Sequence, residues 1–115
     1  MKLEFSENSN CLIMKVNGEI DLRYAILIRN EADRKIIDSS KMNFIIDLSE
    51  VSFMDSSAIG VIIGRYKLIQ SLGRSISIVS SNQTAGKILD MSGIKKIIPL
   101  WASLNEAEEA MKSRI

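Results

Sequence analysis

The sequence contains no histidine and only one cysteine, Cys11, among its 115 residues. Zinc fingers, Cys–His nucleophiles and Ser–His–Asp triads all need side chains that this inventory does not supply. We therefore expect Cys11 to be a small apolar residue of the core. We predict neither a metal site nor a cofactor, and the inventory does not favour an enzyme.

Strong charge and long apolar runs are also missing. The formal net charge is +1, whereas a domain that neutralises many phosphates is normally strongly basic, so we do not expect a nucleic acid as partner. No segment reaches the roughly 18 apolar residues of a membrane span, and the first residues lack the apolar centre of a signal peptide. We therefore expect a cytoplasmic protein without a membrane partner.

The composition is typical of a globular protein, with 46% hydrophobic and 25% charged residues. This length and composition predict a single domain over residues 1–115 that needs no disulfide or metal to fold. Apolar periodicity, turn residues and caps predict the element order ββαβαβαβα. Because each strand–helix–strand step crosses over right-handed, the predicted class is α/β, a mostly parallel sheet with an N-terminal antiparallel strand.

The predicted bounds follow from these patterns. Strands are predicted at 2–5, 11–16, 44–48, 75–80 and 94–100, and helices at 22–38, 58–72 and 85–91, with a last helix opened by Ser103 and Glu106. The spacing of that last pair is typical of a capping box. The strand over 94–100 is expected at a sheet edge because Pro99 cannot donate to a ladder.

The junction after the strand at 44–48 carries Asp55, Ser56 and Ser57 at the start of an apolar helix. Short oxygen-bearing side chains suit a helix N-terminus, so the residue types alone indicate a cap. Asp21 stands at the corresponding point before the first helix. Since sites in parallel sheets gather at the carboxyl ends of the strands, we expect Asp21 and the junction to share one surface.

Three kinds of chemistry can be considered for this surface. The first is enzymatic acid–base chemistry by Asp21 and Asp55, with Asp47 as a third acid. The sequence offers neither a histidine nor a Gly-rich phosphate-binding loop to complete such a site. A response-regulator receiver domain needs several acids after the first strand, but residues 6–10 supply only Glu7. A phosphoserine switch remains: a phosphate adds about −1.5 to −2 charges at a helix N-terminus that tolerates an anion. A docking partner would be repelled without any refolding.

Three separated motifs resemble those of one known family. The run Phe-Met-Asp-Ser-Ser-Ala-Ile-Gly-Val-Ile-Ile-Gly-Arg-Tyr-Lys at 53–67 resembles the signature of the anti-sigma factor antagonists, or anti-anti-sigma factors. These are STAS-domain proteins of the SpoIIAA and RsbV type. Supporting matches are Gly-Glu-Ile-Asp at 18–21 and Leu-Asp-Met-Ser-Gly-Ile at 89–94.

The resemblance implies a bacterial regulator of transcription that is switched by phosphorylation. In such proteins the unphosphorylated form captures an anti-sigma factor, a serine kinase carrying ATP or ADP, and so releases a sigma factor. The kinase phosphorylates the serine directly after the aspartate, and a PP2C-type phosphatase restores the active form. That serine corresponds to Ser56 here, and Ser57 is the less favoured candidate. The run at 64–67 leans toward the sporulation branch of the family. The predicted partner-binding residues are Asp21, Asp55, Ser57, Ile59, Gly60, Gly64 and Arg65.

Each assignment has an alternative. Asp21 can be only an N-cap, Arg65 a solvated helix edge, and Gly60 with Gly64 a place where strands approach the helix. The sequence departs from the family by carrying Ala58 where glycine is common, which is expected to add a methyl group near the docking surface. A second function also stays open, namely an unphosphorylated STAS scaffold in a sensory or lipid-transport complex.

Overall fold

The structure is a computed structural model and describes residues 1–112. Its elements are β1 (Lys2–Asn8), β2 (Cys11–Ile20), α1 (Leu22–Asp38), β3 (Asn43–Met54), α2 (Ser56–Ser71), β4 (Ser75–Val79), α3 (Gln83–Ser92), a 3-10 turn (Ile94–Lys96), β5 (Leu100–Trp101) and α4 (Leu104–Lys112). The sheet order is β1-β2-β3-β4-β5, with β1 antiparallel to β2 and all other neighbours parallel. The predicted α/β class and element order are confirmed.

Helix α1 shows most directly how the sequence specifies the fold. Asp21 caps its N-terminus, and the four buried positions Ala25, Ile28, Ala32 and Ile36 recur at helical spacing. This stripe lies against the sheet, and the helix ends where the polar Ser39 turns to extended backbone. The bounds agree with the predicted 22–38.

Two apolar layers sandwich the sheet. The larger layer contains the inward faces of α1, α2 and α3. The smaller layer lies under α4 and consists of Cys11, Ile13, Ile45, Val79, Ala107 and Met111. Trp101 covers this second layer, and its ring N–H donates to the Ser77 hydroxyl at 3.3 Å. Cys11 is therefore a core residue, as expected.

The prediction of a strand over 94–100 is wrong for most of that range, because a 3-10 turn occupies Ile94–Lys96. Gly93 adopts a φ of +74°, which ends α3, and the chain then makes a 3-10 turn. The Ile98 N–H donates to the Ile94 carbonyl at 3.0 Å, so these two buried isoleucines follow helical rather than strand spacing. Only Leu100–Trp101 pairs with β4, at the sheet edge.

Several other elements differ from their predicted lengths. The second strand continues beyond 16, and the strand predicted at 44–48 continues to Met54, because the late part of β3 pairs with the late part of β2 through two register shifts. Helix α2 starts two residues earlier than 58 and stops before Gly73, whose φ is +69°. Within residues 1–112, no helix is long and apolar enough to cross a membrane.

Candidate functional site

Helices α1 and α2 begin side by side at the carboxyl edge of the sheet. Ile20 and Met54 are register partners at the ends of β2 and β3. The N–H of Asp55 donates to the Ile20 carbonyl at 3.3 Å, which holds the two strand ends together. Asp21 and Asp55, which follow directly, are the N-caps of the two helices. The predicted common surface of Asp21 and the junction is present.

The two serines of the junction differ in their surroundings. Asp55 Oδ1 accepts hydrogen bonds from the Ser57 N–H at 2.9 Å and from the Ser57 hydroxyl at 2.5 Å. The Ser57 side chain, which is half-buried, is therefore part of the cap. Ser56 is exposed, and its hydroxyl has no hydrogen-bond partner among residues 1–112. Ser56 thus presents the accessible hydroxyl at this helix N-terminus.

Asp21 is an N-cap and also one half of a surface ion pair. Its carboxylate accepts from the Arg23 N–H at 2.9 Å and from Arg23 Nη2 at 2.7 Å. Glu19 lies 3.3 Å from the same guanidinium. The hydrogen bonds from Arg23 lower the pKa of Asp21 below its ordinary value. Asp21 therefore carries a full negative charge at the site near neutral pH.

A shallow apolar groove of about 220 Å³ runs between α1 and α2 from this edge. Two of its α1 side chains face solvent, since Leu22 is 74% and Ile26 is 59% exposed. Arg29 places a cation beside this apolar surface. The groove lining is Leu22, Ala25, Ile26, Arg29, Ser57, Gly60 and Val61.

Gly60, which lines this groove, and Gly64 leave open space beside α2. A Cβ built at either position would have no described atom within 4 Å. The interpretation that the neighbouring strands approach the helix at these glycines is therefore wrong. Each glycine costs about 1 kcal/mol in helix propensity relative to alanine, although the space beside it within residues 1–112 would accept a methyl group.

Arg65 lies inside the protein between α1 and α2. Only 6% of its side chain is exposed, and its Nε approaches Asp33 Oδ1 to 2.7 Å, although without the alignment of a hydrogen bond. Its Nη1 donates to the Val61 carbonyl at 3.3 Å. Burial lowers the pKa of Arg65 while Asp33 opposes that shift. The interpretation of Arg65 as a solvated helix edge is wrong, because the side chain links the two helices.

Two more residues of α2 point inward. Ala58 is 1% exposed, so its methyl group packs in the core and the expected extra methyl at the docking surface is not there. Ile59 is half-buried and packs against the same core.

Asp47 on β3 is buried, and its carboxylate accepts a hydrogen bond from the Ser49 N–H at 3.0 Å.

Asn82, which lies in a predicted loop, connects helix α3 with strand β3. Its Oδ1 caps α3 through the Ala85 N–H at 2.8 Å. Its Nδ2 donates to the carbonyls of Leu48 at 2.9 Å and Ser49 at 3.1 Å, and lies 3.3 Å from that of Val51. Asn82 thus fixes the part of β3 that leads to the junction. An Asn before an apolar helical pattern signals a cap, but the contacts with β3 have no local sequence signal.

Within the described part of the chain, no three His, Cys, Asp or Glu residues lie close enough to hold a metal ion. What the site offers is therefore a set of carboxylates, an exposed hydroxyl and an apolar groove at one edge of the sheet. Such a surface suits docking of another macromolecule.

Comparison with known proteins agrees with this architecture. The chain is 34% identical over 101 residues to an anti-sigma F factor antagonist of Paenibacillus polymyxa, covering 88% of this chain and 86% of the relative. An anti-sigma factor antagonist from Mycobacterium paratuberculosis superposes with a TM-score of 0.90 at 22% identity, covering 96% and 93% of the two chains.

The structure of the anti-sigma factor antagonist SpoIIAA in its unphosphorylated form superposes with a TM-score of 0.83 at 20% identity, covering 99% of each chain. At these identities the solved structures show a shared fold. The family model for the STAS domain matches residues 2–107. This chain belongs to the STAS domain family.

Proposed function

We propose that this protein is an anti-sigma factor antagonist controlled by phosphorylation of Ser56. Its unphosphorylated form binds an anti-sigma factor that is also a serine kinase with ATP or ADP, and thereby releases a sigma factor. The relative of Paenibacillus polymyxa, which is named an anti-sigma F factor antagonist, supports the antagonist part of this proposal. The proposal describes a binding module rather than an enzyme, acting in the cytoplasm, with sporulation as the programme toward which the sequence leans.

The observation that carries the proposal is the difference between the two adjacent serines. A kinase needs a hydroxyl that can enter its active site, and the Ser56 hydroxyl is exposed and has no hydrogen-bond partner within residues 1–112. The Ser57 hydroxyl is instead held by Asp55 at 2.5 Å. Phosphorylation of Ser57 would have to break its hydroxyl hydrogen bond to Asp55, whereas phosphorylation of Ser56 leaves that bond intact.

A phosphate on Ser56 would change the surface while preserving the fold. It would stand at the first residue of α2, where the helix dipole favours negative charge. It would also join the carboxylates of Asp21 and Asp55 beside an apolar groove. A partner that buries this edge would then have to desolvate a dianion next to two acids, which opposes binding by repulsion. A PP2C-type phosphatase would reach the exposed phosphoserine and restore binding.

The test uses the kinase that the purified protein captures from a lysate of its source organism. Wild type, Ser56→Ala and Ser57→Ala are incubated with this kinase and Mg-ATP, and the site is mapped by mass spectrometry. We expect phosphate at position 56 in wild type and in Ser57→Ala, and none in Ser56→Ala. Phosphate on Ser57 alone would refute the assignment. Capture of a transporter or sensor complex with no ATP-binding protein would support the scaffold alternative.

A further inference from the structure

Strand β1 forms one edge of the sheet. It pairs with β2 from Lys2 to Asn8, and no strand within residues 1–112 pairs with its other side. In an antiparallel ladder, every second residue directs its N–H and C=O away from the neighbouring strand. Residues of β1 therefore present a row of unpaired backbone donors and acceptors, which can template the addition of another strand.

The side chains of β1 separate into two rows. Met1, Leu3 and Phe5 are half-buried and pack against the main core. Lys2 and Glu4 stand on the opposite face, exposed, with Nζ and Oε1 3.4 Å apart. A groove of about 290 Å³ lies between Phe5 and the end of α1, so α1 leaves the apolar row only partly covered.

We propose that β1 pairs in antiparallel fashion with β1 of a second copy of this chain, with Leu3 opposite Leu3. In this register, Lys2 of each copy stands opposite Glu4 of the other, giving two opposite-charge pairs on the polar face. Phe5 stands opposite Met1 on the apolar face. Opposite charges and apolar pairs directly across a ladder both stabilise it.

Other registers also keep the apolar side chains on one face of the sheet and the charged side chains on the other, but they are less favourable. A two-residue shift in one direction places Glu4 opposite Glu4. A shift in the other direction places Lys2 opposite Lys2. A longer shift sets Leu3 opposite Glu7. Like charges directly across a ladder are destabilising, so only the Leu3-centred register is self-complementary in both charge and hydrophobicity.

This pairing would make one continuous sheet of ten strands around a two-fold axis perpendicular to the sheet. The helices α1 and α2 of both copies would lie on the same face, while the carboxyl edges of the parallel strands would point in opposite directions. Both copies would therefore keep the surface of Asp21 and Ser56 accessible. Because the paired segment is short, the interface is small, and the dimer is expected to be weak and concentration-dependent.

Charge reversal tests the register. Sedimentation equilibrium of the full chain, up to concentrations on the order of 1 mM, should show a monomer–dimer equilibrium. Glu4→Lys should raise the dissociation constant at least tenfold, because it places lysine opposite lysine twice. The swapped variant Lys2→Glu/Glu4→Lys should restore it to within about threefold. The control is Glu109→Lys, which reverses a similarly exposed acid paired with Lys112 on α4. A monomer throughout, or a dimer that Glu4→Lys leaves unchanged, would overturn the proposal.

Cross-linking tests the same register independently of charge. In a Cys11→Ala background, Leu3→Cys places two thiols opposite each other at a Cα separation that a disulfide spans. Mild oxidation should yield a covalent dimer. Asn8→Cys, exposed on the same strand but outside the paired segment, should cross-link at least tenfold more slowly. Equal rates at positions 3 and 8 would refute the Leu3-centred pairing. Circular dichroism of each variant verifies the fold.

Discussion

Asp55 accepts two hydrogen bonds from Ser57, since its Oδ1 lies 2.9 Å from the Ser57 backbone nitrogen and 2.5 Å from the Ser57 hydroxyl oxygen. The residue between them, Ser56, is left with an exposed hydroxyl. One carboxylate thus divides two adjacent serines into a capping residue and an accessible one. Under the proposed function, the same N-cap that starts α2 also selects the phosphoacceptor.

Substitutions at the cap should separate stability from switching. Asp55→Ala should lower the free energy of unfolding by about 1 kcal/mol, since it removes the N-cap of α2. Ser57→Ala should cost roughly 0.5–1 kcal/mol for one lost side-chain hydrogen bond. Ser56→Ala, the matched control, should stay within about 0.5 kcal/mol of wild type. Urea unfolding at neutral pH measures all three. An equal loss in Ser56→Ala would contradict the assigned roles.

The Arg65–Asp33 pair should stabilise the packing of α1 on α2. Asp33→Asn leaves the buried guanidinium without its counter-charge and should cost about 2 kcal/mol. This value is below the usual range for a broken buried pair, because the Asp33 side chain is 34% exposed. Adding Arg65→Met to Asp33→Asn should recover part of that loss, because the unpaired charge is then removed. Urea unfolding of the two single variants and the double variant forms the cycle. Strictly additive losses would show that the two side chains are not coupled.

The glycines of α2 should lower the free energy of unfolding of the protein while they favour docking of the anti-sigma factor. Gly60→Ala should raise the free energy of unfolding by about 1 kcal/mol, because a Cβ there meets no atom within 4 Å. If the groove is the docking surface, the same methyl should weaken capture of the anti-sigma factor about tenfold or more. Gly86→Ala, on the equally open position of α3, should give the stability gain without the loss of affinity. Calorimetric titration compares the two. Equal affinities would place the docking surface elsewhere.

The Asp21–Arg23 pair predicts the direction of a pH effect. Because the hydrogen bonds from Arg23 lower the pKa of Asp21 below its ordinary value, the ionised carboxylate contributes stability above the unfolded pKa. That contribution is lost as the pH falls through the lower, folded pKa. Asp21→Asn keeps a capping side chain but has no carboxyl group to titrate. The stability advantage of wild type over this variant should therefore shrink below about pH 4. Urea unfolding from pH 3 to pH 7 measures it, and a difference independent of pH would contradict the pairing.

Local patterns predicted a large part of this fold. The 22–38 helix was predicted to the residue, because its cap and apolar stripe are both local signals. Strand β3 was predicted too short, because the polar Ser49, Glu50 and Ser52 interrupt the apolar run, while pairing with β2 carries the strand to Met54. Pairing between segments more than 30 residues apart has no such local signature.

In the site too, features with a local sequence signal are predictable, whereas contacts between distant segments are not. Asp21 and the junction were brought together correctly by the rule for carboxyl ends of parallel strands. The burial of Arg65 depends on Asp33, which lies 32 residues earlier, so the helical pattern of α2 alone could not reveal it. The contacts of Asn82 with the β3 backbone were missed for the same reason. The partner-binding roles of all seven predicted residues stay predictions, namely those of Asp21, Asp55, Ser57, Ile59, Gly60, Gly64 and Arg65.

The switch at Ser56 is tested most directly by the affinity for the captured kinase before and after Ser56 is phosphorylated. Calorimetric titration of both forms, with urea unfolding of each, separates docking from folding. We predict that the phosphate weakens binding at least a hundredfold, which corresponds to about 2.8 kcal/mol, while the unfolding midpoint shifts little. Unchanged affinity, or a loss of affinity accompanied by unfolding of α2, would contradict a switch that acts at the surface alone.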